Sequence, residues 1–180
     1  MADHGDRTEP TAVESLARVL ERATGTAVAR DDVLDRSGSP SPGARIGTLL
    51  DTAGSVVGVV PRVEPSLAQR IRRGAASGSV DGNGAQSSLD VRIVVTGAAR
   101  ETVTGPTGAV VRRALTDDIT LYVHDGDSPV GLLLVDDRAV VGAFDDAGLA
   151  AVLVSDEPAV RSWVAETCER YLSTAEPLET

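Results

Sequence analysis

Three apolar runs near the C-terminus, joined by very short turns, restrict the fold of this chain more than any other feature. They are Val130–Asp136 (VGLLLVD), Ala139–Asp145 (AVVGAFD) and Leu149–Ser155 (LAAVLVS), connected by Asp137-Arg138 and Asp146-Ala147-Gly148. A parallel crossover needs a dozen or more residues, so these connections admit only antiparallel hairpins. The C-terminal half is therefore expected to be a meander.

The upstream half reads differently. Ser55–Val60 (SVVGVV) and Val91–Thr96 (VRIVVT) are continuous β-branched runs, as in strands buried on both faces, and Pro61 stops the first. Between them Glu64-Pro65-Ser66 starts a helix, with Leu67, Ala68 and Ile71 at helical spacing. A connection of this size and content makes a right-handed parallel crossover. Gly74–Ser88 then reads as a polar Gly/Ser loop, and a short helix near Gly108–Leu115 leads to the strand Ile119–His124. Ser155 or Asp156 can cap a last helix, with Pro158 in its first turn and Val160, Trp163, Val164, Cys168 and Tyr171 along one side.

Residues 1–10 are expected to be disordered. Residues 11–44 carry an amphipathic helix (Val13, Leu16, Ala17, Val19, Leu20) and a Ser/Gly/Pro linker at Ser37–Gly43. Residues 45–178 form the main domain, entered by a short helix with Ile46, Leu49 and Leu50 inward. The expected class is α/β: a mixed sheet of about six strands, parallel in its first half and an antiparallel meander in its second, covered by helices.

Composition narrows the chemistry. Aromatics make up 2% of the chain, so aliphatic side chains must build the core. All 17 basic residues are arginine, against 27 acidic ones, for a net charge of −10. Without lysine there is no Walker A phosphate loop and no Schiff base. Gly78, Gly82 and Gly84 do not open a helix directly after a strand, as a dinucleotide motif would. A single cysteine, Cys168, leaves no internal disulfide and no zinc or iron–sulfur centre built on several thiolates, so neither metal nor cofactor is expected. The acidic balance gives no support to a nucleic-acid-binding face. The polar decapeptide MADHGDRTEP lacks the apolar core of a signal peptide, and no run approaches the roughly 20 residues of a membrane span. A cytoplasmic setting without membrane contact is expected.

Four residues stand out as candidate ligand contacts: Arg62, Thr96, His124 and Asp136. Arg62 follows the first strand and Thr96 ends the second, at the carboxyl ends where open α/β sheets bind ligands. Arg62 can clamp a carboxylate or phosphate there, or remain a solvated surface arginine. His124 is the only histidine of the folded body, since His4 lies in the tail. With Asp125, Asp127 and Asp136 it offers a general base or a metal site. Against this, Asp125-Gly126-Asp127 is ordinary turn chemistry, and no Gly-x-Ser-x-Gly elbow supplies a nucleophile. The acid pairs Asp117-Asp118, Asp136-Asp137 and Asp145-Asp146 make poor dyads, because neighbours in a strand point to opposite faces. Cys168 and Trp163 read as core packing.

A family resemblance covers roughly residues 40–178. Its carrying strings, in order, are SVVGVVPRV (Ser55–Val63), VRIVVT (Val91–Thr96), VGLLLVDD (Val130–Asp137), VGAFDDAG (Val141–Gly148), SDEP (Ser155–Pro158) and RYLSTAEPL (Arg170–Leu178). Together they resemble the effector domains of archaeal winged-helix transcription regulators, namely the middle domain of the methanogenesis regulatory protein family, with sugar-responsive TrmB-type regulators as relatives. The resemblance implies a catalytically dead phospholipase D-like fold that dimerises with its own kind and takes a small metabolite. The His-x-Lys motif of true phospholipases D cannot exist in a chain without lysine. Such regulators carry a winged helix-turn-helix ahead of this domain. The residues preceding it here lack three successive helices and a basic recognition helix, so DNA contact is expected only through a missing or separate helix-turn-helix. The lysine-free, acid-rich composition is similar to that of proteins from salt-loving archaea, where the Debye length falls to about 3 Å at molar salt.

Three functional readings follow, each with its structural mark. An enclosed polar pocket around Arg62 and Thr96 would mark a ligand-sensing regulatory domain, and a flat exposed apolar patch a scaffold without ligand. Convergence of His124 and Asp136 in a cleft would mark a hydrolase.

Overall fold

The computed structural model describes residues 10–77, 79–80, 86–87, 89–106, 108–113 and 118–178. The expected tail, the loop glycines Gly78, Gly82 and Gly84, and Asp117 lie outside the described residues. The chain begins with α1 (Ala12–Thr24), β1 (Val33–Asp35), α2 (Pro42–Leu50), β2 (Ser55–Val60) and α3 (Pro65–Ser77). A small two-stranded unit follows, β3 (Ser79–Val80) with β4 (Gln86–Ser87), then β5 (Asp90–Val95), α4 (Gly97–Thr104) and α5 (Gly108–Arg113). The last part is β6 (Ile119–Val123), β7 (Gly131–Val135), β8 (Arg138–Asp145), β9 (Gly148–Ser155), α6 (Pro158–Leu172) and β10 (Glu176–Pro177).

The main sheet has the order β1-β9-β8-β7-β2-β5-β6-β10. β2, β5 and β6 are parallel, while β7, β8 and β9 form the antiparallel meander that short turns require. The sheet thus has eight strands instead of about six. The additional two are edge strands too short to show a period: β1 pairs with β9 and β10 with β6. Two further expectations are corrected. The segment after Ile71 stays helical through Ser77 and then pairs β3 with β4, where a loop was expected. Helix α6 starts from Glu157, whose side chain does not cap; the Ser155 hydroxyl accepts the Glu157 N–H instead.

Alternation along the strands divides the core into two layers. On one face Val56, Val91, Val95, Leu133, Val140 and Val152 meet Ile46, Leu49 and Leu50 of α2 and Ala99 and Val103 of α4. On the other, Val59, Val94, Leu132, Val141 and Leu153 meet Leu16 and Leu20 of α1 and Val160, Val164 and Cys168 of α6. Helix α1 is therefore part of the domain's second layer and packs on β8, β9 and α6. Its start is fixed by a reciprocal capping box between Thr11 and Glu14, and its end by Gly25 at φ +68°. Burial pushes the Cys168 thiol up to about 12, which leaves it protonated and unreactive. Among the described residues, no helix is long and apolar enough to cross a membrane.

Candidate functional site

The first face of the sheet is not fully covered. Helix α3 leans on α2 and reaches the sheet chiefly at β5. It is held to α2 by Arg70, which lies across Gly47 and pairs with Asp51 at 3.2 Å. Leu67 and Ile71, the large apolar residues of α3, are only half-buried, while Ala75 near its end is buried.

Three strand glycines lie on this face of the sheet. Gly58 of β2, Gly131 of β7 and Gly142 of β8 fall on this same face, and Gly131 and Gly142 are direct cross-strand partners. The ring of Phe144 lies over Gly131, where a Cβ would stand 2.8 Å from Cε2. Leu149 lies over Gly142, 2.9 Å from the same construction. Between the sheet and α3 is a cavity of about 370 Å³, with Gly131 and Gly142 in its lining. Its walls are aliphatic, with Ile93, Leu121, Leu133 and Val140 from the sheet and Ile71 from α3, and Phe144 is the only aromatic. Arg62, Glu64, Gln69 and Arg72 line it as well. Val63 and Val110, also in its lining, are exposed large hydrophobic residues.

Three of the four sequence candidates do sit at one end of the sheet. The Thr96 amide donates to Val60 O and the His124 amide to Val95 O, so Arg62, Thr96 and His124 all follow the carboxyl ends of parallel strands. Their side chains do not converge. Arg62 turns toward the β8–β9 turn, where Nη1 donates to Asp145 O at 2.8 Å and Nη2 stands 4.0 Å from Asp146. Thr96 precedes α4 and is completely buried, with its hydroxyl oxygen unpartnered among the described residues. His124 is used locally: Nδ1 accepts the Gly126 N–H at 2.8 Å and Nε2 is 3.0 Å from Thr174 Oγ1. Its ring packs edge-on against Tyr171, 4.9 Å between centroids, while Tyr171 Oη donates to Asp127 O.

Asp136 lies at the opposite end of the sheet. Its backbone, at φ +51°, forms the β7–β8 turn, and its carboxylate accepts the N–H groups of Gly54 at 3.1 Å and Ser55 at 2.9 Å. A six-residue strand separates that position from Arg62, roughly 20 Å. The expected constellation of Arg62, Thr96, His124 and Asp136 is thus corrected: Arg62 alone of the four borders the cavity. No group of three His, Cys, Asp or Glu side chains gathers at metal-binding distance among the described residues. Gly131 and Gly142 of the lining were missed by sequence reasoning. The available signal was a glycine inside each of two strands, which marks close approach.

An ion pair ties the segment after β1 to the β8–β9 turn. Arg36 grips Asp145 with two bonds of 2.6 Å and donates to Leu149 O at 3.1 Å. Its guanidinium holds the Asp145 carboxyl below the ordinary value of 3.8, assisted by the Ala147 N–H. A carboxylate whose folded value is lowered stabilises above the unfolded value and loses that contribution as pH falls through the folded one. The Tm difference between the wild type and Asp145→Asn is therefore expected to be open at neutral pH and to close below about pH 4. Thermal scans from pH 7 to pH 3 at constant salt check this, and an unchanged gap at pH 3 would contradict it. Because both groups are half-exposed, molar salt should narrow the gap throughout.

A mixed eight-stranded sheet, parallel at its centre and helix-covered on both faces, defines a phospholipase D-like α/β domain. The structure of Nuc from Salmonella typhimurium, a phospholipase D family member, superposes with a TM-score of 0.59 at 17% identity, covering 82% of this chain and 97% of that one. NucT from Helicobacter pylori gives 0.59 at 10% identity, covering 76% and 91%. The chain itself belongs to the family of the methanogenesis regulatory protein FilR1 middle domain, matched over residues 40–174. It is thus a middle domain of the kind found in a regulatory-protein family. The structure of TrmBL2, an archaeal chromatin protein with a novel mode of DNA binding, superposes with a TM-score of 0.51 at 13% identity over 81% of this chain. The present chain spans about half of TrmBL2, 53% of its length. No curated protein sequence matches.

Proposed function

We propose that this domain is the ligand-sensing, non-catalytic half of a haloarchaeal transcription regulator, and that its ligand sits in the cavity beneath α3. The cavity carries the reading. Its volume of about 370 Å³ falls within the range of small-molecule pockets, and it lies under a helix held mainly by its neighbour α2. A hydrolase built on His124 and Asp136 is disfavoured by their placement at opposite ends of the sheet and by the local bonds of both imidazole nitrogens. On this reading the domain works as a homodimer, and DNA is reached through a helix-turn-helix carried elsewhere.

Ala68 of α3 lines the cavity and is half-buried, so Ala68→Phe should fill the space without disturbing the sheet. In a thermal-shift screen of metabolites at molar potassium chloride, the wild type is expected to yield at least one stabilising ligand. Ala68→Phe should keep the wild-type circular dichroism spectrum and lose that shift. An equal shift in both proteins would place the ligand elsewhere. A strictly monomeric protein without any ligand would remove the sensing reading.

A further inference from the structure

The cavity's chemistry specifies its occupant more narrowly than its volume does. The aliphatic part of the wall offers no hydrogen-bond partner to a sugar or nucleotide body lying along it, which would surrender water contacts there without replacement. With Phe144 as the sole aromatic, there is no stacking platform for a base or a flat ring system. An aliphatic body meets neither cost and gains by leaving water.

The polar lining supplies the other half of the specification. Arg62 donates one nitrogen to Asp145 O and approaches Asp146 no closer than 4.0 Å. Arg72 makes no ion pair among the described residues. Glu64 is directed at the β8–β9 turn, with its oxygens 3.3 and 3.5 Å from where a Gly148 Cβ would stand. Two arginines are therefore among the residues lining an apolar cavity in a chain of net charge −10, and Arg72 has no counter-ion among the described residues. A guanidinium binds carboxylate through a planar fork of donors, a contact interaction that survives where salt abolishes longer-range attraction. We infer that the cavity beneath α3 takes an aliphatic carboxylate, its chain along the aliphatic wall and its head group at Arg72 and Arg62. This rests on the cavity being the ligand seat proposed above.

The test is calorimetric titration of the whole chain in molar potassium chloride with octanoate, octanol and octylamine, and with hexanoate and decanoate for chain length. Octanoate should bind about tenfold more tightly than octanol and octylamine more weakly than either. Each added methylene should tighten binding about fourfold. Arg72→Gln should lower octanoate to the level of octanol while leaving octanol unchanged, a readout that a misfolded variant would not give. Equal or tighter binding of octanol or octylamine, or a flat chain-length series, would overturn the inference. If these probes fail while the metabolite screen yields a ligand that Ala68→Phe blocks, the carboxylate assignment falls and the sensing reading stands. If neither binds, both fall.

Discussion

Gly58→Ala is expected to destabilise the domain by about 3 kcal/mol, a large share of the roughly 5–15 kcal/mol that holds an ordinary domain folded. Gly58 sits in the middle of β2, paired with Ile93 of β5 on one side and Leu133 of β7 on the other. A Cβ there would come within 2.5 Å of the Leu132 carbonyl oxygen and would also overlap the Leu133 Cδ2 methyl. The methyl can rotate away. The carbonyl cannot, because it belongs to the strand paired with β2, and moving it would part the parallel and antiparallel halves of the sheet. Gly43→Ala provides the control: it lies in the first turn of α2 with nothing within 4 Å of its added Cβ. That change should be neutral or stabilising by up to about 1 kcal/mol, since alanine is the better helix former. Denaturant midpoints of the two variants decide the matter. Equal midpoints would mean that β2 and β7 are not in the register described.

Leu16→Ala should cost about 2–5 kcal/mol, the range for emptying a fully buried aliphatic site. Leu16 is 0% exposed, as is Leu20 one turn later, and both belong to the layer of α1, α6 and the second sheet face. The result matters because α1 precedes residues 40–174, over which the family match extends. If α1 were an appendage, the substitution would change stability by a few tenths of a kcal/mol and leave a single transition of wild-type midpoint. The packing of α1 on β8, β9 and α6 requires the larger value.

The meander was legible because its turns leave the chain no alternative, and Val130–Ser155 folds as those turns dictate. The parallel half was legible from β-branched runs separated by a helix-sized segment. Elements that depend on distant partners were not. The edge strands β1 and β10 are three and two residues long and form only because β9 and β6 present open edges. Helix α4 was hidden by its composition. Gly97, at φ +47°, starts it, and Thr102 and Thr104 turn their hydroxyls back to the carbonyls of Ala98 and Arg100, so local propensity argues against a helix that burial of Ala99 and Val103 enforces.

The site was half legible. Placing a ligand contact at the carboxyl end of a parallel strand put Arg62 at the cavity. The same rule chose Thr96, which the start of α4 buries completely, and His124, which Thr174 and Gly126 occupy. Asp136 carries turn and strand-start hydrogen bonds that no sequence period reveals. Gly131 and Gly142 read singly as tolerated strand glycines, and only the register that sets one against the other shows both in the wall of one cavity.

The seating of an aliphatic carboxylate beneath α3 is tested most directly by isotope-filtered nuclear Overhauser measurements on the labelled domain with unlabelled decanoate. Cross-peaks from the ligand's chain to the Ile71, Ile93 and Leu121 methyl groups and the Phe144 ring are the predicted result, since these groups line the same hollow. Cross-peaks confined to side chains on the α1–α6 face, or to groups beside His124, would contradict it.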